Sequence, residues 1–499
     1  VNEMPSYLRA SYVVILKVMS SFLMLFSLIL IIPLVFSLFY REPSMVPAFL
    51  MASALSLVLS LVLRTKYRST KMDVITSKEG AVIVLFCWLV AIFLSALPYT
   101  FARILSLSRA IFEATSGWTT TGLTVIANVE SMPKTILFWR SLTQFLGGAG
   151  FAIIVMGAII GPTGLGLYQA EGRVDNIVPN IKYSARIIMF VYMGYAGVGT
   201  VALKIAGMDF FDALNHSLTA LATGGFSTKN NSIGSFNSVG IEIVTMILMW
   251  LGATGFGIHY AFWQRNWQAL KKNPEPKQMA LFTATSVTIL TAAGLGRIFP
   301  TAFEGIRRSL FQVVSAITGT GFSTSDLKTW LGFPPGILVL TILMLLGGCM
   351  DSTSGGVKQY RIAVMLKTLV LSVKRFVLPR NAVVQVEIWK GNNKRYLDDS
   401  LIREAFLVSS LYVISFIAGS VILSVYGYRV SEAIFEFASA LAGVGLSVGI
   451  TGYSMPNGAL WTLITGMFLG RLEFLVVIYA ISKILKDISS ITQRQKTAV

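Results

Sequence analysis

Charge is scarce in this chain of 499 residues: only 13% are Asp, Glu, Lys or Arg, about half the usual share of a soluble domain. A hydrophobic share of 54% and a mean hydropathy of +0.70 complete the contrast, so the sequence is built for lipid. Cysteine is nearly absent. Cys87 and Cys349 lie far apart in apolar segments, which excludes a disulfide framework and any metal or redox spacing. The only histidines, His216 and His259, have no Ser, Cys or acidic partner at a catalytic spacing. No removable signal peptide is read, because the first apolar run lacks a small-residue cleavage site.

What is there is a succession of apolar runs, each close to the twenty or so residues that cross a bilayer. Ten spans are predicted: 12–38, 46–63, 80–100, 136–160, 184–206, 238–262, 280–299, 334–372, 403–426 and 458–486. The net charge of +18 would suggest nucleic acid in a soluble protein. Here it follows from loop charge, and no nucleic acid is expected. With the N-terminus, 64–80, 161–186, 263–279, 372–403 and the C-terminal tail inside, those segments hold 24 of the 41 Lys and Arg residues. The opposite side holds ten, including Arg297, Arg307 and Arg308. This bias predicts that both termini are cytoplasmic.

Four shorter stretches, near 108–122, 210–225, 307–321 and 431–445, are too short to span. They align on one glycine as "FEATSGWTTTGLT", "NHSLTALATGGFS", "FQVVSAITGTGFS" and "FEFASALAGVGLS". The anchors are Gly122, Gly225, Gly321 and Gly445. A hydroxyl stands six residues before each (Ser116, Thr219, Ser315, Ser439), with a small residue after it (Gly117, Ala220, Ala316, Ala440). An apolar residue follows each anchor (Leu123, Phe226, Phe322, Leu446), then another hydroxyl (Thr124, Ser227, Ser323, Ser447). One span precedes each stretch and one follows it. The chain therefore reads as four copies of span, short helix, glycine turn and span, after two extra spans.

The predicted fold is an all-α integral membrane protein with about ten transmembrane helices and four re-entrant pore-helix and filter loops in pseudo-fourfold symmetry. The units are 1–66 (two-helix unit), 67–170, 171–265, 266–380 and 381–499 (pore repeats 1 to 4). A short helix entering from outside points its negative C-terminal end at the membrane centre. The backbone beyond it is affordable only around a water-filled path or inside protein. Glycine permits the positive φ that turns successive carbonyls toward one axis, where they can replace a cation's hydration shell. The expected K+ filter is Thr120, Thr121, Gly122, Thr223, Gly224, Gly225, Thr318, Gly319, Thr320, Gly321, Gly443, Val444 and Gly445, with K+ held by backbone carbonyls. Ser315 and Ser323 are expected to brace the third loop. None of the four stretches ends in the Gly-Lys-Ser/Thr of a phosphate loop, and no nucleotide is expected on this chain. Glu113 and His216 occupy matching positions, read with Glu436 as a helix N-terminus preference.

"GGCMDSTSGG" (347–356) interrupts the run 334–372 with glycines and hydroxyls that weaken a helix. It reads as a mobile loop under the filter, with Gly347, Gly348, Asp351, Ser352, Thr353, Ser354, Gly355 and Gly356 as gate residues. Arg471, a cation in an apolar run, is the remaining gate candidate. Its other reading is structural, paired with Glu473, Asp351 or backbone carbonyls; Glu473, two residues on, points elsewhere, and Asp351 is the conjectured partner. Lys358 and Arg361 are expected to face the cytoplasm. An enzyme would need a buried nucleophile, acid pair or metal set, and none recurs across the spans.

These motifs resemble the Trk/Ktr/HKT superfamily of potassium transporters, most closely the bacterial TrkH type, which shares the two extra N-terminal spans. "FWRSLTQFLGGAGFAIIVMGAI" (138–159), "YQAEGRV" (168–174), "GGCMDSTSGGVKQYRI" (347–362) and "MFLGRLEFLVVIYAI" (467–481) carry the resemblance over nearly the whole chain. It implies K+ uptake across the bacterial inner membrane, a homodimer, and a cytosolic TrkA-like ring of nucleotide-binding regulatory subunits. Sodium-favouring relatives often replace the first anchor by serine, so Gly122 argues for potassium. A channel, a symporter with H+ or Na+ coupling, and a Na+-permeable transporter stay open. Asp351 departs from the small uncharged residue usual there, and "LPRNAVVQVEIWKG" lacks the family's common His-Pro pair.

Overall fold

The computed structural model describes residues 6–67, 76–150, 181–379, 384–391 and 393–497. The chain opens with α1 (Ser6–Ile29), a short α2 (Leu34–Phe39) begun at Pro33, and α3 (Val46–Lys66). Hydroxyls join α3 to α1: Ser53, Ser56 and Ser60 donate to the carbonyl oxygens of Ser27, Leu23 and Ser20 at 2.8, 2.7 and 2.6 Å. Small residues let the two backbones approach, and the hydroxyls find acceptors where lipid offers none. On its other face α3 exposes Leu57, Val58, Leu61 and Val62, as a bilayer requires.

The first repeat comprises α4 (Ser77–Phe101), α5 (Leu107–Trp118) and α6 (Lys134–Ala149). A capping box starts α4: the Glu79 amide donates to the Thr76 hydroxyl, and the Thr76 amide to the Glu79 carboxylate. The second repeat comprises α7 (Ile181–Ile205), α8 (Phe210–Leu221), α9 (Val239–Ala253) and α10 (Phe256–Trp263). After α11 (Trp267–Lys272) come α12 (Pro274–Gly294), α13 (Ala302–Thr318), α14 (Pro334–Leu346) and α15 (Gln359–Val377). Asn273 caps α12 by accepting from the Glu275 amide, and Pro274 fills the first turn where no donor is needed. An antiparallel hairpin, β1 (Glu387–Lys390) and β2 (Asn393–Tyr396), precedes α16 (Asp399–Val425), α17 (Val430–Ala442), α18 (Asn457–Arg471) and α19 (Leu475–Thr497).

The short helices α5, α8, α13 and α17 each pack between the helices that precede and follow them. Packing between repeats runs in one direction round a circle. The helix after each glycine turn meets the short helix of the next repeat: α6 on α8, α9 on α13, α14 on α17, and α18 back on α5. That last contact joins the end of the chain to its first repeat and closes the ring.

Among the described residues five helices are long and apolar enough to cross a membrane unbroken, or seven if each bent pair is one span. Two expected straight spans are corrected. The run 238–262 turns by 101° between α9 and α10, and 458–486 turns by 100° between α18 and α19. Gly255 and the left-handed Glu473 (φ 51°) sit at these breaks. The run 334–372 is broken as expected, by the loop between α14 and α15. The second half of 136–160 and "YQAEGRV" lie outside the described residues.

Candidate functional site: a ring of four backbone turns

Each short helix ends just before its anchor glycine, and the turn that follows has the same backbone signature in all four repeats. The residue two before the anchor is left-handed: Thr120 (φ 55°), Thr223 (48°), Gly319 (70°) and Gly443 (64°). The anchors Gly122, Gly225, Gly321 and Gly445 have φ of 90°, 72°, 90° and 95°. Side-chain-bearing residues rarely adopt such values, so the two threonines are held there by their surroundings.

The reason for glycine is spatial as well as conformational. A Cβ on Gly122 would stand 2.2 Å from the Gly224 carbonyl oxygen, and one on Gly225 would stand 2.0 Å from that of Thr320. On Gly321 it would meet the Val444 oxygen at 1.9 Å, and on Gly445 the Thr121 oxygen at 2.1 Å. Each anchor thus faces the carbonyl that precedes the next anchor, in cyclic order through all four repeats. The result is a closed collar of backbone carbonyls with no side chain between neighbours. A cavity of about 430 Å³ on one side of the collar is lined by all four anchors and by Lys229 and Asp326.

Behind the collar, side chains hold the turns. The residues after the anchors, Leu123, Phe226, Phe322 and Leu446, are at most 2% exposed. The hydroxyls of Ser315 and Ser439 accept from the Gly321 and Gly445 amides at 3.1 and 2.9 Å. In the second repeat Gln144 of α6 takes this part, accepting from the Phe226 amide (3.0 Å) and donating to the Gly224 oxygen (2.5 Å). Ser323 is braced through its backbone: its amide donates to the Ser232 hydroxyl, and its carbonyl accepts from the Gly234 amide.

Nine residues before each anchor stands a fully buried polar group: Glu113, His216, Gln312 and Glu436. These are not helix N-terminal preferences, because they lie in the middle of their helices and reach the outgoing strand. Glu113 accepts from the Thr124 hydroxyl (2.9 Å) and the Val125 amide (3.1 Å), and pairs with Arg140 at 2.8 Å. His216 Nε2 lies 2.8 Å from the Ser227 hydroxyl. Gln312 donates to Ser325 (3.2 Å), and Glu436 accepts from Ser447 (2.7 Å) and the Val448 amide (3.1 Å). Arg140 also donates to the Ser227 carbonyl at 3.1 Å, joining two repeats. The signal in the sequence was the constant spacing, since the residue types differ.

The loop 347–356 lies against the inner ends of these turns. The Thr353 hydroxyl donates to the Gly252 oxygen at 2.9 Å and lies 3.0 Å from the Thr223 hydroxyl. A Cβ on Gly355 would be 2.0 Å from the Ala442 oxygen, and one on Gly319 would be 2.8 Å from the Ser354 hydroxyl. A Cβ on Gly347 would meet the Gly355 oxygen at 2.2 Å, so the two ends of the loop touch. Gly347 and Gly356 have φ of 70° and 80°. The Ser354 hydroxyl accepts from the Gly348 amide at 3.0 Å, and Ser352 donates to the Cys349 oxygen at 2.6 Å.

Arg471, at the end of α18, donates to the carbonyl oxygens of Thr353 (2.8 Å) and Gly147 (2.5 Å). It thereby ties the loop to the first repeat. Of the partners considered for Arg471, backbone carbonyls are the ones it meets, and the conjectured Asp351 is corrected: Asp351 Oδ2 lies 3.0 Å from Lys390 Nζ. Lys358 and Arg361 are also corrected. Both are buried, Lys358 donating to the Ser354 carbonyl and Arg361 pairing with Glu473 at 2.6 Å. Unpaired charges are costly inside a membrane, so the protein supplies a carboxylate to Arg361 and backbone carbonyls to Lys358 and Arg471. A small cavity of about 50 Å³ remains between Gly355, Lys358, Arg471 and Glu473.

Four pore-loop repeats packed round one axis define the class: a multi-pass membrane protein with pseudo-fourfold symmetry in a single chain. The family model for TrkH, described as a cation transport protein, matches residues 46–295 and 279–491. The chain belongs to this TrkH family. It is 31% identical to the Trk system potassium uptake protein TrkH of Halomonas elongata, with 93% of this chain and 97% of that one covered. An uncharacterised cation transporter of Methanocaldococcus jannaschii is also 31% identical, over 93% of this chain and 94% of that one. The crystal structure of the potassium transporter TrkH from Vibrio parahaemolyticus superposes with a TM-score of 0.81 at 27% identity, covering 94% of this chain and 98% of that one.

Proposed function

We propose that this chain is the K+-translocating subunit of a Trk-type uptake system. The observation that carries the reading is the cyclic contact of each anchor glycine with the carbonyl preceding the next anchor. Such a collar offers a dehydrated cation oxygen ligands from four directions and needs no resident cofactor; K+ is the cargo. Thr120, Thr121, Gly122, Thr223, Gly224, Gly225, Thr318, Gly319, Thr320, Gly321, Gly443, Val444 and Gly445 are its filter. Four glycine anchors favour K+ over a Na+-permeable filter. The names of the Halomonas and Vibrio relatives agree with this cargo.

The loop 347–356 and Arg471 form the gate. The loop obstructs the inner end of the collar, and a fixed cation beside it opposes an entering K+. Repeat boundaries follow as 67–170, 171–265, 266–380 and 381–499, after a two-helix unit at 1–66. The protein sits in the bacterial inner membrane as a homodimer with both termini cytoplasmic, as the Lys and Arg bias supports. A cytosolic nucleotide-binding ring regulates it from that side. The test is growth of a K+-transport-deficient cell at limiting K+, followed by K+ and Na+ flux into liposomes holding the purified chain. Failure of both to show K+ entry sinks the reading. Imposed Na+, H+ and voltage gradients in the same liposomes separate a channel from a coupled carrier.

A further inference from the structure

We infer that Lys390 and Ile388, on the cytoplasmic hairpin, are positioning residues for the intramembrane loop, so that hairpin movement passes to the segment under the carbonyl collar. The inference rests on the gate reading and adds the element that moves the gate. Alternation along β1 puts Ile388 (0% exposed) and Lys390 (2%) on one face, with exposed Glu387 and half-buried Trp389 on the other. That inner face meets two consecutive loop residues by two kinds of contact. Ile388 shares a small apolar cluster with Met350, Tyr360, Ala363, Val364 and Ala405. Lys390 pairs with Asp351 at 3.0 Å, with side-chain exposures of only 3% and 12%.

The loop residue held in this way is itself strained. Asp351 has a φ of 56°, which a side-chain-bearing residue keeps only where its surroundings enforce it. Its carbonyl accepts from the Phe256 amide at 3.1 Å, and the neighbouring Met350 amide donates to Glu275 at 2.6 Å. Backbone from α10 and a carboxylate from α12 thus fix one side of the turn, and the hairpin fixes the other. The hairpin is in turn attached to α15, where Lys367 donates to the Glu387 carbonyl. A pull on β1 or β2 from the cytoplasm therefore acts on Met350 and Asp351, only two residues before Thr353. Thr353 is the residue that touches Thr223, Gly252 and Arg471.

The test uses the full-length chain in liposomes, with two readouts: amide hydrogen exchange of 347–358 and K+ flux. Lys390→Met, Asp351→Asn and Ile388→Ala are each expected to speed exchange in the loop at least about tenfold, an opening shift of about 1.4 kcal/mol. Each is also expected to raise K+ flux while leaving the K+/Na+ permeability ratio unchanged. Lys390→Arg keeps the charge and is expected to restore protection. Loop exchange at the wild-type rate in all three variants overturns the inference, as does a changed permeability ratio, which would put the hairpin's effect on the filter. Wild-type liposomes without K+ flux would defeat the transport reading alone, because the exchange measurement does not require conduction.

Discussion

The carbonyl oxygen of Thr121 stands 2.1 Å from where a Cβ on Gly445 would be, so the last repeat is locked to the first by a contact that admits only glycine. The same relation holds at Gly122, where the Gly224 oxygen is 2.2 Å from where a Cβ would be. Gly122→Ser must push that carbonyl aside or distort a backbone at φ 90°. Either change alters the oxygen spacing of the collar, and with it the proposed choice between ions. The expected outcome is a K+/Na+ permeability ratio lowered by roughly tenfold, the equivalent of about 1.4 kcal/mol between the two ions. Reversal potentials under bi-ionic conditions measure it, and an unchanged ratio would remove Gly122 from the filter.

The collar was legible because its constraint falls on residue identity. Where a neighbour's carbonyl occupies the Cβ position at positive φ, only glycine serves, and the sequence shows glycine four times. The mid-helix braces were harder to see. Glu113, His216, Gln312 and Glu436 do one task, receiving or meeting a group on the outgoing strand, with three different side chains. Only a hydrogen-bonding side chain of suitable reach is required there. The 100° turns after α9 and α18 left still less trace, since an apolar helix and a bent pair of apolar helices have the same composition. Burial of Lys358 and Arg361 was misread for a related reason: sequence shows a charge but not the carbonyl or carboxylate waiting to accept its hydrogen bonds.

Arg471 bonds to Thr353 of the third repeat and Gly147 of the first, which makes it a tie across the inner end of the collar. Arg471→Ala deletes both bonds and the local positive charge together. K+ flux without any activating partner is expected to rise several-fold, and shortening 347–356 is expected to do the same. Flux measured in liposomes of matched protein content decides the point. If both variants conduct like the wild type, the loop and the arginine are structural.

Asp351 and Arg471 are matched to different groups, one to Lys390 and the other to backbone carbonyls. Any coupling between them therefore runs through the loop backbone, since Asp351 lies two residues before Thr353 and Arg471 is bonded to Thr353. In a double-mutant cycle on K+ flux, Asp351→Asn with Arg471→Gln is expected to give an indirect coupling of no more than about 1 kcal/mol. The parallel cycle of Asp351→Asn with Lys390→Met should show coupling above that level. A coupling between 351 and 471 as large as that between 351 and 390 would mean that the two side chains meet in the working protein.

Glu113 and Arg140 form an ion pair with exposures of 0% and 2%, and each also holds backbone or hydroxyl groups of the outgoing strands. Removing one partner leaves the other charge buried without it, so Arg140→Met is expected to cost about 3–5 kcal/mol of stability. Replacing both, as Glu113→Leu with Arg140→Met, removes the stranded charge and should recover much of that loss. Ion selectivity should not recover with it. The Val125 amide and the Thr124 hydroxyl would still lack their acceptor, and the Ser227 carbonyl its donor, leaving two strands of the outer mouth unheld. Thermal unfolding of the detergent-solubilised protein and the permeability ratio, measured on the wild type and on these two variants, separate the two effects. Selectivity that returned together with stability would show that the pair supports the fold and has no part in holding the filter.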